Sequence, residues 1–127
     1  MIEFHRDHTR PSKGQVFVFG SNEAGIHGAG AAALALEYGA EWGKGVGRYG
    51  MTYAIPTKDR NVETLVLSKI RPYIADFVTY TKAHPELQFF VTRVGCGLAG
   101  YEDCQIAPLF KGAVNCSFPE SWERYVK

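Results

Sequence analysis

Long apolar runs, paired cysteines and an excess of one charge are all missing from this sequence of 127 residues. The longest run of small apolar residues, at positions 29–36, is far shorter than the ~20 residues that a membrane-spanning helix needs. Residues 1–14 are polar and contain no apolar core of the kind that a secretory signal peptide requires. We therefore expect a cytoplasmic protein with no membrane partner.

Cysteine and histidine are too sparse to indicate a disulfide framework or a metal site. The three cysteines, Cys96, Cys104 and Cys116, are odd in number and form no C-x-x-C pair, which favours reduced thiols. His5 and His8 have no second pair of ligands at zinc-binding spacing. The sequence thus predicts no metal and no other cofactor.

The balance of charge argues against general nucleic-acid binding. Fourteen Lys and Arg residues face thirteen Asp and Glu residues, for a net charge of +1. A protein that holds a phosphate backbone through counterion release needs a positive surface. We expect no broad affinity for nucleic acid.

What the sequence does contain is an ordinary globular composition, with 46% hydrophobic and 21% charged residues. Its length suits one domain, so we expect a single domain over residues 1–127. Its fourteen glycines are unevenly spread, with nine between positions 20 and 50 and three between 95 and 100. Glycine adopts positive φ and lets the backbone approach a ligand closely. Both clusters are therefore candidate ligand loops.

Apolar periodicity and turn residues predict alternating strands and helices. Buried strands are expected at 16–19, 51–55, 88–94 and 113–118, with a further strand at 2–5. Helices are expected at 28–38, from 70 to about 83 with Ser68 as a candidate cap, and at 103–111. This order predicts an α/β sheet covered on both faces, with a ligand outside the carboxyl ends of its strands. Both glycine clusters follow predicted strands.

Two glycine motifs leave more than one interpretation open. Residues 45–50 match G-x-G-x-x-G but follow a helix and precede a strand, the reverse of a dinucleotide-binding turn. Residues 28–33 match G-x-G-x-x-A at a helix start, where they could bind a phosphate or serve only close helix packing. A nicotinamide-dependent dehydrogenase would also need a tight first turn and an acid after a second strand, and the sequence shows neither.

Single side chains beside these loops also allow two interpretations each. His27 could donate to a phosphate or orient its loop, and Cys96 could be a nucleophile or a packing residue. Tyr101 follows one predicted strand and Phe118 ends another, and either ring could cover a ribose or a base. Lys58, beside Asp59, is on these grounds an exposed loop lysine as readily as a functional amine.

Three motifs, in chain order, resemble those of macrodomains. They are G-A-G-A-A at 28–32, I-P-T-K at 55–58, and G-C-G-L-A-G at 95–100 followed by I-A-P-L at 106–109. The resemblance covers residues 16–118 and is closest to the branch with the terminal ADP-ribose protein glycohydrolase and the antitoxin that removes ADP-ribose from DNA. It implies a three-layer fold, with a mixed sheet between helices, and a cleft that takes ADP-ribose or an ADP-ribosylated macromolecule, DNA included.

In such a cleft, backbone N–H groups of the two glycine clusters would clasp the diphosphate and the distal ribose. Ser21 and Asn22 echo the Asn-rich loop of other macrodomain hydrolases, and Asp7 is a candidate for the acid that contacts adenine. The residues predicted to contact the ligand are Ser21, Asn22, His27, Gly28, Ala29, Gly30, Thr57, Gly95, Cys96, Gly97, Leu98, Ala99, Gly100, Tyr101 and Phe118.

The resemblance implies that Lys58 is the catalytic residue. A strand-end amine near the distal ribose could attack C1″ and form a Schiff-base-type intermediate, provided that desolvation keeps it unprotonated. The protein glycohydrolase branch has an Asp where this chain has Ala99, whereas the DNA-directed branch lacks that Asp and retains the lysine. The sequence therefore predicts an ADP-ribosyl glycohydrolase or, alternatively, a domain that binds the nucleotide without chemistry.

Overall fold

The computed structural model describes residues 2–127, which form one mixed sheet with helices on both of its faces. The strands are β1 (Ile2–His5), β2 (Gln15–Asn22), β3 (Gly47–Tyr49), β4 (Thr52–Lys58), β5 (Gln88–Val91) and β6 (Cys116–Pro119). The helices are α1 (Gly30–Ala35), α2 (Leu67–Ala83), α3 (Asp103–Ile106) and α4 (Glu123–Val126), with 3-10 turns at Leu36–Tyr38, Ala107–Phe110 and Glu120–Trp122. Over residues 2–127, no helix combines the length and the apolar character that crossing a bilayer requires.

The six strands lie in the order β1-β6-β5-β2-β4-β3. All neighbours are parallel except β3, which pairs antiparallel with β4 at one edge. At the other edge β1 pairs with β6, so that Phe4 lies beside Phe118. Parallel strands present their carboxyl ends at one edge of a sheet, so the loops after β1, β2, β4 and β5 gather there.

Strand β2 shows why helices cover both faces of the sheet. Its side chains alternate, with Val16 and Val18 in the core cluster that contains α2, and Phe17 and Phe19 in the cluster that contains α1. All four are at most 1% exposed. In sequence, a strand that is buried on both faces is a continuous run of apolar residues, without alternation between apolar and polar residues. The predicted α/β fold with helices on both faces is confirmed.

Helix α2 buries one stripe of apolar residues against the sheet. Ile70, Ile74 and Phe77 are fully buried, as their helical spacing predicts. The helix starts earlier than expected, because Leu67 is its first residue and Val66 occupies the N-cap position without a side-chain hydrogen bond. The expectation that Ser68 caps it is therefore wrong, since Ser68 lies inside the first turn.

Several shorter elements also differ from the sequence-based expectation. Residues 45–50, which were expected only to connect a helix to a strand, contain β3, and its three residues are too few to show a period-2 pattern. The helix expected at 28–38 begins at Gly30 and ends in a 3-10 turn at Tyr38, before Gly39 adopts a left-handed φ of 110°. The last strand starts at Cys116 rather than at 113.

The uncapped start of α2 gives a prediction about stability. Val66 is extended, with φ −66° and ψ 152°, and 58% exposed, so Val66→Asp can accept a hydrogen bond from a free N–H of the first turn. We expect it to raise the free energy of unfolding by about 1 kcal/mol relative to Val66→Ala. Urea titration of both variants measures this, and equal midpoints would contradict the capping argument.

Candidate functional site

A cavity of about 690 Å3 lies at the carboxyl ends of the parallel strands. Loops from distant parts of the chain form its walls, and its volume falls in the range of ~300–1,000 Å3 usual for small-molecule sites. Most of the sequence-predicted site residues lie in these walls. They are Ser21, Asn22, Gly28, Ala29, Gly30, Thr57, Lys58, Gly95, Cys96, Gly97, Leu98 and Ala99.

Four of the predicted residues lie outside the cavity lining. His27 is buried behind the first loop, Gly100 closes the second loop with a φ of 88°, and Tyr101 donates its hydroxyl to the Leu65 carbonyl. Phe118 is fully buried in the α2-side core. Tyr101 thus supports the cavity wall and Phe118 lies in the core, and neither residue lines the cavity.

The first glycine cluster divides into two parts with different functions. A Cβ at Gly45 would stand 1.9 Å from the Asn22 carbonyl oxygen, and one at Gly25 would stand 2.3 Å from the backbone nitrogen of Lys44. These glycines therefore let two loop segments touch backbone to backbone. At Gly28, in contrast, a Cβ would meet nothing within 4 Å, so this part of the cluster borders open space in the cavity.

Polar side chains of the first loop hold that backbone contact in place. The Ser21 hydroxyl donates to the Gly45 carbonyl, and His27 Nε2 lies 2.8 Å from the Glu41 carbonyl and 3.1 Å from the Lys44 carbonyl. Asn22 donates its amide to the Ile26 carbonyl and accepts the Ile26 N–H. These side chains fix the loop, which leaves the backbone as the part of the loop that is available to a ligand.

The second glycine loop, 95–100, is tied to the segment that follows β4. Thr64 Oγ1 donates to the Ala99 carbonyl at 3.1 Å, and Tyr101 anchors the end of the loop on Leu65. Within residues 2–127, the N–H groups of Gly97, Leu98 and Ala99 donate no hydrogen bond. Three consecutive free N–H groups on a cavity wall can bind an anion.

Lys58 ends β4 and lines the cavity half-buried. Its carbonyl accepts the Glu23 N–H at 2.9 Å, which fixes the backbone. Its ammonium makes no ion pair or hydrogen bond with any described residue. The neighbouring carboxylates are engaged elsewhere, because Asp59 accepts two N–H groups of its own turn and Glu23 accepts the Tyr73 hydroxyl. Lys58 thus lines the cavity at the strand end, and its ammonium has no fixed partner among the described residues.

Aromatic residues form another part of the cavity wall. None of them was among the site residues predicted from the sequence. Phe17 and Phe90 line it, and the His5 ring stacks on Phe90 with centroids 3.9 Å apart. Burial lowers the pKa of His5, which favours its neutral form. In sequence, Phe17 and Phe90 look like any buried strand residue, so no signal distinguished them from the core.

Asp7 also lines the cavity and carries an unused acceptor. Its Oδ2 lies 3.8 Å from Arg93 Nη1, whereas Oδ1 is buried and has no hydrogen-bond partner. A buried carboxylate oxygen without a partner is costly, and a ligand N–H would satisfy it. Asp103 holds Arg93 from the other side, at 3.0 Å.

Cys96 lines the cavity as a thiol. Burial, assisted by the nearby Asp103 carboxylate, raises the pKa of Cys96 to about 12. The thiolate is the nucleophilic form of cysteine, so this residue is not activated for attack at neutral pH. Elsewhere in the part of the chain that the structure describes, no three His, Cys, Asp or Glu side chains are grouped so as to hold a metal ion.

Comparisons with protein-family models, with curated proteins and with solved structures give no match to this chain. Its function must therefore be inferred from the cavity itself.

The two parts of the first glycine cluster can be separated experimentally. Gly45→Ala forces a methyl group into the Asn22 carbonyl, and we expect it to destabilise the fold by about 1–3 kcal/mol. Gly28→Ala, the matched control, enters open space and should change stability by less than ~0.5 kcal/mol. Thermal denaturation measures both, and equal losses of stability would contradict the assignment of Gly45 to the backbone contact.

Proposed function

We propose that this chain binds ADP-ribose, or a related NAD-derived nucleotide, in the cavity and hydrolyses an ADP-ribosyl linkage with Lys58. The observation that carries the proposal is the convergence of both glycine loops and Lys58 on one cavity. The loops offer hydrogen-bond donors, and the lysine offers a nucleophile. Each of these suits a different part of the same nucleotide.

The diphosphate would lie between the two glycine loops. Gly28 and Ala29 donate no backbone hydrogen bond within residues 2–127, and neither do Gly97, Leu98 and Ala99. Charged acceptors such as phosphate oxygens form stronger hydrogen bonds to backbone N–H groups than neutral acceptors do. A diphosphate would use several of these donors at once.

The adenine would lie at the aromatic part of the wall. The ring of His5, which lines the cavity and stacks on Phe90, supplies a planar surface there, and planar bases gain from such contacts. The free Oδ1 of Asp7 is an acceptor, and the adenine amino group is a donor. Their pairing would satisfy the buried oxygen.

Hydrolysis would begin with attack of the unprotonated Lys58 Nζ on C1″ of the distal ribose. The C1″–N bond forms as the bond from C1″ to the acceptor breaks, and the acceptor leaves with a proton. Opening of the ribose ring gives a Schiff base between Lys58 and C1″. Water then adds at C1″, the C–N bond breaks, and free ADP-ribose and the lysine amine are restored.

One observation favours a second candidate function, a domain that binds the nucleotide without cleaving it. Among the described residues that line the cavity, Asp7 is the one carboxylate, and Arg93 lies beside it. In the protein glycohydrolase branch that the sequence resembles, an Asp at the position of Ala99 would assist the lysine. Without a second carboxylic acid, Lys58 would act best on a linkage whose acceptor leaves readily.

The ligand class is tested by calorimetry with ADP-ribose and AMP in the presence of EDTA. AMP lacks the diphosphate and the distal ribose, so it forgoes at least two charge-assisted hydrogen bonds of roughly 1.5–3 kcal/mol each. We expect ADP-ribose to bind more than about a hundredfold tighter, at ~1.4 kcal/mol per tenfold. Equal affinities would rule out an ADP-ribose site.

The role of Lys58 is tested with two substitutions. Lys58→Ala and Lys58→Arg should both abolish release of ADP-ribose from ADP-ribosylated DNA or carboxylate-linked protein, because arginine keeps the charge but cannot deprotonate to attack. Affinity for ADP-ribose should fall by no more than the ~1–3 kcal/mol of one charged contact. The exposed Lys13 lies outside the cavity lining, and Lys13→Ala is the matched control.

Normal turnover by Lys58→Arg would exclude the lysine as the nucleophile. If the unaltered protein binds ADP-ribose but cleaves none of these substrates, the non-catalytic binding domain is the correct function.

A further inference from the structure

Arg93 and Asp7 place a hydrogen-bond donor beside an acceptor on the cavity wall, and the protein itself uses neither. Arg93 Nη1 lies 3.8 Å from Asp7 Oδ2, which is beyond hydrogen-bond distance. Within residues 2–127, Nη1 donates no hydrogen bond, and Asp7 Oδ1 is buried without a partner. Both residues line the cavity. A ligand could therefore bind both atoms at once.

The guanidinium of Arg93 is held by residues outside the cavity lining. Its Nε and Nη2 donate to the two carboxylate oxygens of Asp103 at 3.0 and 3.1 Å, and Asp103 also accepts the indole N–H of Trp122 at 2.7 Å. Trp122 is fully buried. Because the guanidinium is planar, this two-point contact also fixes the direction of Nη1. Arg93 is thus oriented before any ligand binds.

The charges of the pair limit the kind of group that fits between Arg93 and Asp7. An anion that approaches the guanidinium would be repelled by the Asp7 carboxylate, and a cation that approaches the carboxylate would be repelled by Arg93. An uncharged group that carries an acceptor next to a donor would use both side chains. An amino group on the carbon beside an unprotonated ring nitrogen has this pattern.

The base proposed for this part of the cavity has such an edge, because the amino group of adenine is attached next to ring nitrogen N1. Burial lowers the pKa of His5, and the Asp7 carboxylate opposes that effect, which places Asp7 close to the ring on which the base would stack. The cavity therefore offers a flat surface and a donor and acceptor pair in one region. The first suits the face of the base and the second suits its edge.

We propose that Arg93 determines which base the site accepts, by donating a hydrogen bond from Nη1 to N1 of adenine while Asp7 Oδ1 accepts the adjacent amino group. The assignment rests on the proposed nucleotide site, in which Asp7 binds the amino group. Hypoxanthine has an oxygen in place of the amino group and a hydrogen on N1, so both contacts would bring like partners together. The bound diphosphate and ribose prevent the base from turning over. The site therefore selects 6-aminopurine nucleotides against 6-oxopurine nucleotides.

Calorimetry with ADP-ribose and its hypoxanthine analogue tests this selection. The two nucleotides share the diphosphate and both riboses, and they differ only at the edge of the base. The analogue leaves both members of the pair without a hydrogen bond, and sites built to hydrogen-bond a group reject analogues that lack it. We expect ADP-ribose to bind at least about a hundredfold tighter, which is ~2.8 kcal/mol at ~1.4 kcal/mol per tenfold.

Arg93→Lys tests the part of this preference that belongs to Arg93. One ammonium keeps a cation beside Asp103, but it cannot hold Asp103 and reach the base as the guanidinium fork does. We expect the preference to fall to about tenfold through weaker binding of ADP-ribose, with the affinity for the analogue unchanged within about twofold. A purely structural role would weaken both nucleotides alike. Arg71→Lys, at an exposed position outside the cavity lining, is the matched control and should retain the full preference.

A 1-deaza analogue of ADP-ribose tests the same hydrogen bond in the unaltered protein. It keeps the amino group and has a C–H group in place of N1, so it loses the contact with Arg93 alone. We expect it to bind about tenfold more weakly than ADP-ribose to the unaltered protein, and equally to Arg93→Lys.

The outcomes separate the role of Arg93 from the nucleotide site itself. If ADP-ribose binds and either analogue binds equally well, or if Arg93→Lys weakens ADP-ribose and the hypoxanthine analogue alike, the assignment of Arg93 is wrong while the nucleotide site stands. If none of these nucleotides binds the unaltered protein, the proposed function is wrong and the assignment falls with it.

Discussion

The contact between two stretches of backbone, residues 22–25 and 43–45, is the constraint on which the cavity depends. The Asn22 carbonyl occupies the space that a side chain at position 45 would need, so the loop after β2 can take only the path that glycine allows. The hydroxyl of Ser21 and the ring of His27 then fix that path. Because the open amides at 28–29 continue the same loop, their position on the cavity wall follows from this contact.

The periodic parts of the fold could be predicted from sequence because burial alone determines them. Strand β2 is buried on both faces and α2 on one stripe, and each has a distinct apolar pattern. Strand β3 has three partly buried residues and no pattern. It pairs with β4 across a two-residue turn at Gly50 and Met51, so the available signal was a turn glycine and not an apolar period. The start of α2 was missed for a related reason, since Val66 provides no cap signal.

The candidate site could be predicted only in part. Glycine clusters indicate where the backbone needs positive φ or close contact, but they do not show whether the neighbour is a ligand or another segment of the chain. Gly45 and Gly28 look alike in sequence, yet one borders a carbonyl and the other borders open space. Side chains that sequence favoured as ligand contacts, such as that of Asn22, hold loops instead. The aromatic wall at Phe17 was missed because a cavity-lining strand residue and a core residue have the same apolar character.

The pairing of β1 with β6 affects the order in which parts of the fold form during synthesis. Residues 2–5 find their parallel partner only at 116–119, so during synthesis β1 must wait, unpaired, until residues 116–119 have left the ribosome. Such distant pairings close late, because a long loop has to be ordered first. Asp7 lies two residues after β1, so the part of the cavity wall that contains Asp7 forms last. A nascent chain that already contains both glycine loops would therefore still lack a finished pocket.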